Sequence, residues 1–438
     1  MAHLPGDIIQ CIQSLLTPKE AARTSLVSKS WYGAWATTPN LRFFEYESRK
    51  WFPQFTKKTL QRYEDLNLKI QSFGLFMYQK HSLARELILK AIELGAADLR
   101  IYVAEDNHAP FVLPDEVLAS QTLTRLSASR CRIDLGRRKK EVIPCSALKS
   151  LNLSCATVND DFFKDLSWRF PRIEELTLKE PKRLLRRELV FDVAAMVKLH
   201  KLKSLRLDWL GVRDCLSKHD LWPQFPCLKE LVLKLIQNFE YSDIRICSPS
   251  LERIVIDLSC AYGKVNAEFD VPNIRYLKLR CAGFPSLKFE TTMMSREWVS
   301  DLEIYFREDC NFYMLKQFVK EVSSVSRVSL HLRMRGYNWE EGYVEDDGLG
   351  VGEVENLALP GIRLTSAFLG DLLRSCRPNF IYLRSWDVDL EVLQLQQLRR
   401  LPWKTNTFSS VDPWYYCDFA IRDWETLSDT TYDRFQLR

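Results

Sequence analysis

Residues 4–43 read LPGDIIQCIQSLLTPKEAARTSLVSKSWYGAWATTPNLRF, and this stretch predicts three short helices. Pro5 stands at the first position of the first helix, where its missing N–H leaves no hydrogen bond unmade. Apolar residues then recur at helical spacing from Ile8 to Leu16, which predicts one broad apolar face. Thr17-Pro18 followed by Glu20 is the pattern of a capping box and predicts the start of a second helix.

The third predicted helix carries Val27, Trp31 and Trp35, which lie four residues apart and therefore share one face. An apolar three-helix unit of about 40 residues has the size at which a folded chain usually needs a partner, a metal or a disulfide. From periodicity alone, a bundle that packs on the rest of the chain and a bundle that binds a second protein are equally open.

The order of residues in this stretch resembles an F-box, the motif that docks a substrate receptor onto the small Skp-type adaptor of cullin-RING ubiquitin ligases. The resemblance is carried by Leu4-Pro5, Ile8-Ile9, Ile12, Leu15-Leu16, Lys19-Glu20-Ala21, Arg23-Thr24-Ser25, Val27-Ser28-Lys29, Trp31 and Trp35. Thr17-Pro18 inverts the usual order, and Ser30 and Tyr32 replace residues that are often basic. The resemblance implies that the adaptor is bound through Leu4, Pro5, Ile8, Ile9, Ile12, Leu16, Val27 and Trp31.

A second pattern, L-x-x-L-x-L with other apolar residues allowed, recurs along most of the chain. Its eleven copies begin at Ala96, Leu123, Leu148, Ile173, Leu202, Leu228, Leu251, Ile274, Val299, Val325 and Val354, and a degenerate copy begins at Phe380. Successive starts are 23 to 29 residues apart, the length of a leucine-rich repeat. A single copy would be an ordinary buried strand, but many copies in one phase predict a stacked solenoid with a continuous core.

The positions of the prolines independently indicate the same repeat register. A proline precedes a repeat start by two residues at Pro171, Pro226, Pro249, Pro272 and Pro378. A proline there ends one return segment and enters the next strand in an extended conformation. Together the two patterns resemble the plant F-box/leucine-rich-repeat family.

We therefore predict an α/β solenoid, in which a three-helix F-box precedes a leucine-rich-repeat horseshoe with a parallel β-sheet on its concave face. The predicted boundaries are an F-box at 1–45, a connector at 46–95, the solenoid at 96–386 and a C-terminal cap at 387–438. Within the connector, alternating leucine and isoleucine in Tyr63–Met77 predict a strand around Leu66, Leu68 and Ile70. Helical spacing then predicts a helix over Ser82–Leu94, ended by Gly95.

Composition narrows the class of protein. A net charge of +5 over 438 residues does not indicate general nucleic-acid binding. No apolar run reaches the roughly 18 residues of a membrane helix, and the beginning of the sequence lacks the pattern of a signal peptide. The twelve cysteines stand singly, so we expect reduced thiols in a cytoplasmic or nuclear protein.

The sequence contains no pattern that indicates catalysis, a metal or a cofactor. Gly348, Gly350 and Gly352 lack the preceding strand and following lysine of a phosphate-binding loop. They belong to an acidic stretch, Trp339–Asn356, which is either a surface loop or a loop that contacts the substrate. Basic clusters at Arg137–Lys140 and Lys182–Arg187 are solvated loops, a nuclear-import signal or the contact site of an acidic partner.

The residues that alternate with the leucines are expected on the concave face. Tyrosine and arginine are enriched in interface hot spots, and a basic face attracts acidic partners. The predicted target site, for an acidic segment, is Lys234, Tyr276, Lys278, Arg280, Tyr305 and Arg327. A mixed, solvated sheet face is an equally open interpretation.

The resemblance implies a non-catalytic substrate-recognition subunit of an SCF ubiquitin ligase, which joins an unidentified target to the cullin-RING core through a Skp-type adaptor. Two alternatives stay open. One is a sensor that binds a small hormone-like molecule between solenoid and target, and the other is a non-degradative scaffold bound to the adaptor.

Overall fold

The structure is a computed structural model. It describes residues 4–45, 51–78, 81–104, 110–135, 144–158, 162–180, 182–183, 196, 198–208, 222–234, 241–259, 264–290, 293, 297–306, 312–334, 352–359, 372 and 375–383. The predicted cap at 387–438, the basic residues Arg137–Lys140 and most of the acidic stretch before residue 352 lie outside these described residues.

Three helices open the chain: α1 (Gly6–Ser14), α2 (Pro18–Thr24) and α3 (Lys29–Ala36). The predicted capping box is confirmed, since Glu20 N donates to Thr17 Oγ1 at 3.4 Å and Thr17 N donates to Glu20 Oε2 at 2.9 Å. Pro5 is the N-cap of α1 rather than its first residue, and its carbonyl accepts the first intrahelical bond from Ile9. Val27 is not on α3, because Ser28 caps that helix and leaves Val27 in the preceding turn.

Fourteen parallel strands form one main sheet, and its strands follow one another in chain order. They are β1 (Asn40–Phe44), β2 (Ser72–Met77), β3 (Asp98–Val103), β5 (Arg125–Ser129), β7 (Ser150–Ser154), β9 (Glu175–Lys179), β11 (Ser204–Asp208), β12 (Glu230–Lys234), β14 (Arg253–Leu258), β16 (Tyr276–Ala282), β18 (Val299–Phe306), β19 (Arg327–Met334), β20 (Gly352–Leu359) and β21 (Cys376–Leu383). Every predicted repeat copy coincides with one of the strands from β3 onward. Four of the marking prolines lie just before a strand, whereas Pro378 lies within β21, opposite Val354.

Two smaller parallel sheets lie in the return segments and were not predicted. One joins β4 (Phe111–Val112), β6 (Cys131–Ile133), β8 (Thr157–Val158) and β10 (Lys182–Arg183), and the other joins β13 (Tyr241–Cys247), β15 (Lys264–Asp270) and β17 (Ser286–Phe289). Arg130, Cys155 and Glu180, which each follow a main-sheet strand, have φ of 54°, 49° and 44°. This left-handed conformation turns the chain sharply out of the main sheet.

The remaining helices within the described ranges also lie between strands of the main sheet. They are α4 (Phe52–Asp65), α5 (His81–Glu93), α6 (Asp115–Leu118), α7 (Phe162–Arg169) and α8 (Phe312–Ser323), with a 3-10 turn at Trp222–Gln224. The prediction of a helix at Ser82–Leu94 is confirmed by α5, and Gly95 follows it with φ of 89°.

The strand predicted within Tyr63–Met77 is confirmed only in its second half, where β2 spans Ser72–Met77. Its first half is wrong, because α4 continues to Asp65 and Leu66, Leu68 and Ile70 lie between α4 and β2. The buried residues of α4 are Phe52, Thr56, Thr59, Leu60 and Tyr63, spaced three or four apart. The helical spacing of these residues determines the structure up to Asp65, and the short alternation of Leu66, Leu68 and Ile70 does not form a strand. The main sheet therefore starts at Asn40, inside the predicted F-box, and includes a strand of the predicted connector.

The core lies on one face of the main sheet, where the repeat leucines of successive strands stand in register. Leu99 pairs with Leu126, Leu126 with Leu151 and Leu151 with Leu176, and all are buried. At β18 the register moves by two residues, so that Leu302 pairs with Leu279 rather than Leu277. Because side chains alternate with a period of two, this shift keeps the leucines on the core face.

Candidate functional site

The three helices expose a group of large apolar side chains. The exposed fraction is 44% for Leu4 and Ile8, 82% for Leu15, 85% for Leu26 and 68% for Val27. Scattered single apolar residues are normal on a surface, but five within 24 residues of one small bundle indicate a docking surface. We call these five residues the exposed apolar set.

The predicted adaptor-binding residues fall into three classes of exposure. Leu4, Pro5, Ile8 and Val27 are exposed, and Ile12, Leu16 and Trp31 are half-buried. Ile9 is only 1% exposed, and this corrects its prediction as an adaptor contact. Its side chain points into the bundle, because Ile8 and Ile9 are consecutive on α1 and cannot share one face.

Two of the most exposed leucines, Leu15 and Leu26, were not among the predicted contacts. The signal was present in the sequence, since Leu15-Leu16 and Leu26-Val27 are apolar pairs at the ends of short helices. Their exposure depends on where the helices end. Leu15 is the C-cap of α1, and Leu26 follows the C-cap of α2, so both lie in turns.

A buried glutamine holds the three helices together beneath this surface. Gln13 Nε2 donates to Thr24 Oγ1 at 2.9 Å and to the carbonyl of Trp31 at 3.2 Å, which joins α1 to α2 and α3. Nearby, Gln10 Nε2 donates to Thr37 Oγ1 at 3.2 Å. A side chain that forms hydrogen bonds with two other helices fixes their relative positions. The helices that carry the exposed apolar set are therefore held in a defined arrangement.

The bundle is also joined directly to the main sheet. Strand β1 follows α3 after only three residues and pairs with β2 along its whole length. The hydroxyl of Tyr63 on α4 donates to the carbonyl of Thr38, and the Arg62 guanidinium lies 5.7 Å from the centre of the Trp35 ring. Burial raises the pKa of Tyr63 to about 12, so its hydroxyl stays a donor at neutral pH.

The other candidate surface is the face of the main sheet opposite the core, which we call the polar face. It carries the predicted target residues, but carboxylates already occupy most of their polar groups. Lys278 Nζ lies 3.0 Å from Asp301, and the Tyr276 hydroxyl donates to the same carboxylate at 2.7 Å. Lys234 lies 3.8 Å from Asp208, whereas Arg327 is exposed.

Glu303 is the central acid of this face and is only 5% exposed. Its carboxylate accepts from Arg280 Nε at 2.6 Å, from Arg333 Nε at 2.9 Å and from the Tyr305 hydroxyl at 3.3 Å. Burial alone would raise its pKa, but the charges of Arg280 and Arg333 outweigh burial, and the pKa lies below its ordinary value.

Asp301 is a second such acid. Burial would raise its pKa, but the hydrogen bond from His331 and the charge of Lys278 lower the pKa well below its ordinary value. His331 Nε2 lies 3.2 Å from Asp301 Oδ1. The predicted target residues other than Arg327 therefore contact the acids of this network, and the role of all six in target binding stays a prediction.

The part of the chain described here holds no group of three or more metal-ligating side chains. Within the described ranges, no helix combines the length and apolarity that crossing a membrane requires. The eight cysteines that the structure describes are all free thiols, and Cys131, Cys145, Cys281 and Cys376 are buried.

A comparison with family models matches the helical bundle and β1. The F-box domain model aligns with residues 1–43. Residues 1–43 form an F-box domain. The residues of α1–α3 and of the exposed apolar set lie within this match, and the chain continues from it into a large parallel sheet.

Relatives of the F-box protein extend the likeness beyond this domain. An F-box/LRR-repeat protein of Arabidopsis thaliana is 23% identical over 404 residues, which cover 86% of each chain. A putative F-box/FBD/LRR-repeat protein of the same plant is 24% identical over 395 residues, covering 89% of this chain and 78% of the relative. Another Arabidopsis F-box/LRR-repeat protein is 30% identical over 196 residues, 41% of this chain and 36% of the relative.

Proposed function

We propose that this F-box protein is the substrate-recognition subunit of an SCF-type ubiquitin ligase, and that its main sheet is a leucine-rich-repeat solenoid. The exposed apolar set on the F-box is the observation that carries the proposal. Leu15, Leu26 and Val27 are more than two-thirds exposed in the chain alone. A Skp-type adaptor that covers them gains the free energy of removing apolar surface from water.

In this proposal the chain catalyses nothing and acts by positioning. The F-box holds the adaptor, the adaptor holds the cullin-RING core, and the polar face of the main sheet holds a target protein. Binding both at once raises the effective concentration of target lysines near the ubiquitin-charged enzyme. The proposed location is the cytoplasm or the nucleus, and the free cysteines support it.

The adaptor-binding part includes Leu4, Pro5, Ile8, Ile12, Leu16, Val27 and Trp31 from the sequence prediction, with Leu15 and Leu26 added from the structure. Ile9 is left out because its side chain is buried. It supports the fold of the bundle instead.

Co-purification tests the proposal. Tagged full-length chain, co-expressed with a Skp-type adaptor and a cullin, should recover both in a ternary complex. The double variant Leu4→Ala/Pro5→Ala should lose the adaptor while its circular dichroism spectrum stays unchanged. Recovery of no adaptor by the wild-type chain, or undiminished recovery by the folded double variant, would contradict the proposal.

A further inference from the structure

The polar face changes in composition from one end of the main sheet to the other. On β1 to β3 it carries aromatic and arginine side chains, on β5 and β7 it carries serine and asparagine, and beyond β11 it carries the paired charges described above. The first of these regions lies next to the F-box. None of the predicted target residues lies in this first region.

An aromatic row runs across the first three strands. Phe44, Phe76 and Tyr102 occupy the same register position on β1, β2 and β3, and all three are half-buried. The rings of Phe44 and Phe76 are stacked with centroids 4.6 Å apart and planes 8° apart. Phe76 and Tyr102 are stacked at 6.5 Å, and the Arg130 guanidinium lies 5.8 Å from the Tyr102 ring.

Arginines flank this row and outnumber the acids beside it. Arg42 and Arg100 stand on either side of Gly74 in register, so their Cα atoms are about 10 Å apart, two strand spacings. Arg100 lies 3.4 Å from Asp98, an acid that it shares with Arg125 at 3.3 Å. Among the described residues, neither Arg42 nor Arg130 has a carboxylate partner.

Gly74 lies between the two arginines and is buried. A Cβ at this position would be in van der Waals contact with Arg42 Cγ at 3.4 Å and with the Phe76 ring at 3.5 Å. The Arg42 stem and the Phe76 ring edge therefore lie close over Gly74, which has no side chain of its own to separate the two guanidinium groups. On the far side, Ser127 of β5 pairs in register with Arg100 and is half-buried, so its small side chain leaves the Arg100 side uncrowded.

The geometry of the row limits what it can bind. The rings stack on one another, so the faces between them are covered, and the Arg130 guanidinium lies over the Tyr102 ring. The ring edges carry the positive end of the ring quadrupole, so they attract oxygen atoms and the negative faces of other rings. Stacking of nucleic-acid bases needs free ring faces, and most faces of this row are already in contact. Edges and arginines together favour a ligand with carboxylates and an aromatic side chain.

We propose that the strip formed by Arg42, Phe44, Phe76, Arg100, Tyr102 and Arg130 binds an acidic peptide segment of the target that also carries an aromatic side chain. This inference rests on the proposed function and places the target at the F-box end of the polar face. Carboxylates of the segment pair with Arg42 and Arg100, which flank Gly74 on the neighbouring strands, since guanidinium groups bind carboxylates in a bidentate manner. The aromatic side chain packs on the edge of the row.

The strip and the predicted target site differ in how their charges are compensated. In the predicted site, Arg280 and Arg333 share the buried Glu303, and binding an acidic segment there would have to displace that acid. At the strip, the single acid Asp98 forms ion pairs with both Arg100 and Arg125, and carboxylates of the peptide would supply the missing negative charge. Acidic segments should therefore prefer the strip.

A phage-displayed library of random 12-residue peptides, selected on the full chain bound to a Skp-type adaptor, tests the inference. Recovered peptides should be at least threefold enriched in Asp and Glu near Phe, Tyr or Trp. Individual peptides should lose at least tenfold in affinity on Arg42→Gln/Arg100→Gln. The matched control Arg172→Gln removes an exposed arginine in the turn before β9 and should change affinity less than twofold.

Each outcome decides the question. Recovered peptides without acidic enrichment, or acidic peptides that bind the double variant as tightly as the wild type, overturn the inference. The inference is also overturned by peptides that bind the Lys234→Gln/Lys278→Gln variant tenfold more weakly than the wild type but bind the Arg42→Gln/Arg100→Gln variant as tightly as the wild type. All variants should keep the wild-type affinity for the adaptor. Failure of the wild-type chain to bind the adaptor contradicts the proposed function and is read separately from the peptide result.

Discussion

Truncation of Leu15 and Leu26 to alanine should weaken adaptor binding without unfolding the chain. The two side chains are 82% and 85% exposed in the chain alone. Leu→Ala removes three carbon atoms, and burying each is worth about 0.8 kcal/mol, which gives about 2.4 kcal/mol for full burial. Scaled by the exposed fraction, each leucine contributes about 2 kcal/mol, or about 30-fold in affinity, if the adaptor covers it completely.

The double variant Leu15→Ala/Leu26→Ala should therefore bind about 900-fold more weakly than the wild type, from about 4 kcal/mol. Its free energy of unfolding should change by less than about 0.5 kcal/mol, because exposed side chains contribute little to folding. Isothermal titration with a purified Skp-type adaptor measures the first quantity, and urea unfolding measures the second.

Leu66→Ala is the matched control. Leu66 is the C-cap of α4, is 57% exposed and lies outside the F-box, so the same chemical change there should leave adaptor affinity intact. A double variant that folds normally and binds within threefold of the wild type would refute the assignment of the exposed apolar set as the adaptor surface.

Three further predictions concern stability and reactivity. Gln13→Ala should cost about 1–3 kcal/mol by leaving buried groups of the bundle unpaired, and hydrogen exchange should speed up in α1–α3 while the main sheet stays protected; equal protection throughout would contradict this. The pKa of Glu303 lies below its ordinary value of 4.5, so its carboxylate stabilises the fold above that pH and the stabilisation is lost as pH falls. Glu303→Gln should thus be least stable relative to wild type at pH 7, with the gap in urea unfolding shrinking below about pH 4.5; a gap that grows on acidification would show that the sign is wrong. Burial raises the pKa of Cys131 to about 12, so iodoacetamide at pH 8 should label the exposed Cys11 in the native protein and leave Cys131 unlabelled until unfolding, as mass spectrometry can show.

The repeat strands could be predicted because each copy fixes its own position. A leucine such as Leu126 or Leu151 needs only its local period to be assigned to a buried strand, and identical units must stack to bury their edges. The capping box at Thr17 is equally local, since its two bonds span three residues. The F-box match followed from a continuous order of residues in one stretch.

The rest depends on contacts between distant parts of the chain. The partners of Arg280 are Asp257 and Glu303, more than twenty residues away, and the sequence alone does not set which strands carry a two-residue shift. The predicted basic site therefore appeared unpaired in the sequence, whereas cross-strand register supplies its acids. Likewise, the local alternation of Leu66, Leu68 and Ile70 did not reveal that α4 extends to Asp65 and that the strand begins only at Ser72.

The direct continuation of the F-box into β1 has a mechanical consequence. No flexible tether separates the first three helices from the sheet, because only Thr37, Thr38 and Pro39 intervene and two of their carbonyls are bonded to α4 and β2. The direction of the sheet is thus fixed relative to the F-box when the chain folds, without a swivel at this junction. Six glycine and serine residues inserted after Thr37 would free that angle while keeping every side chain of the two surfaces intact.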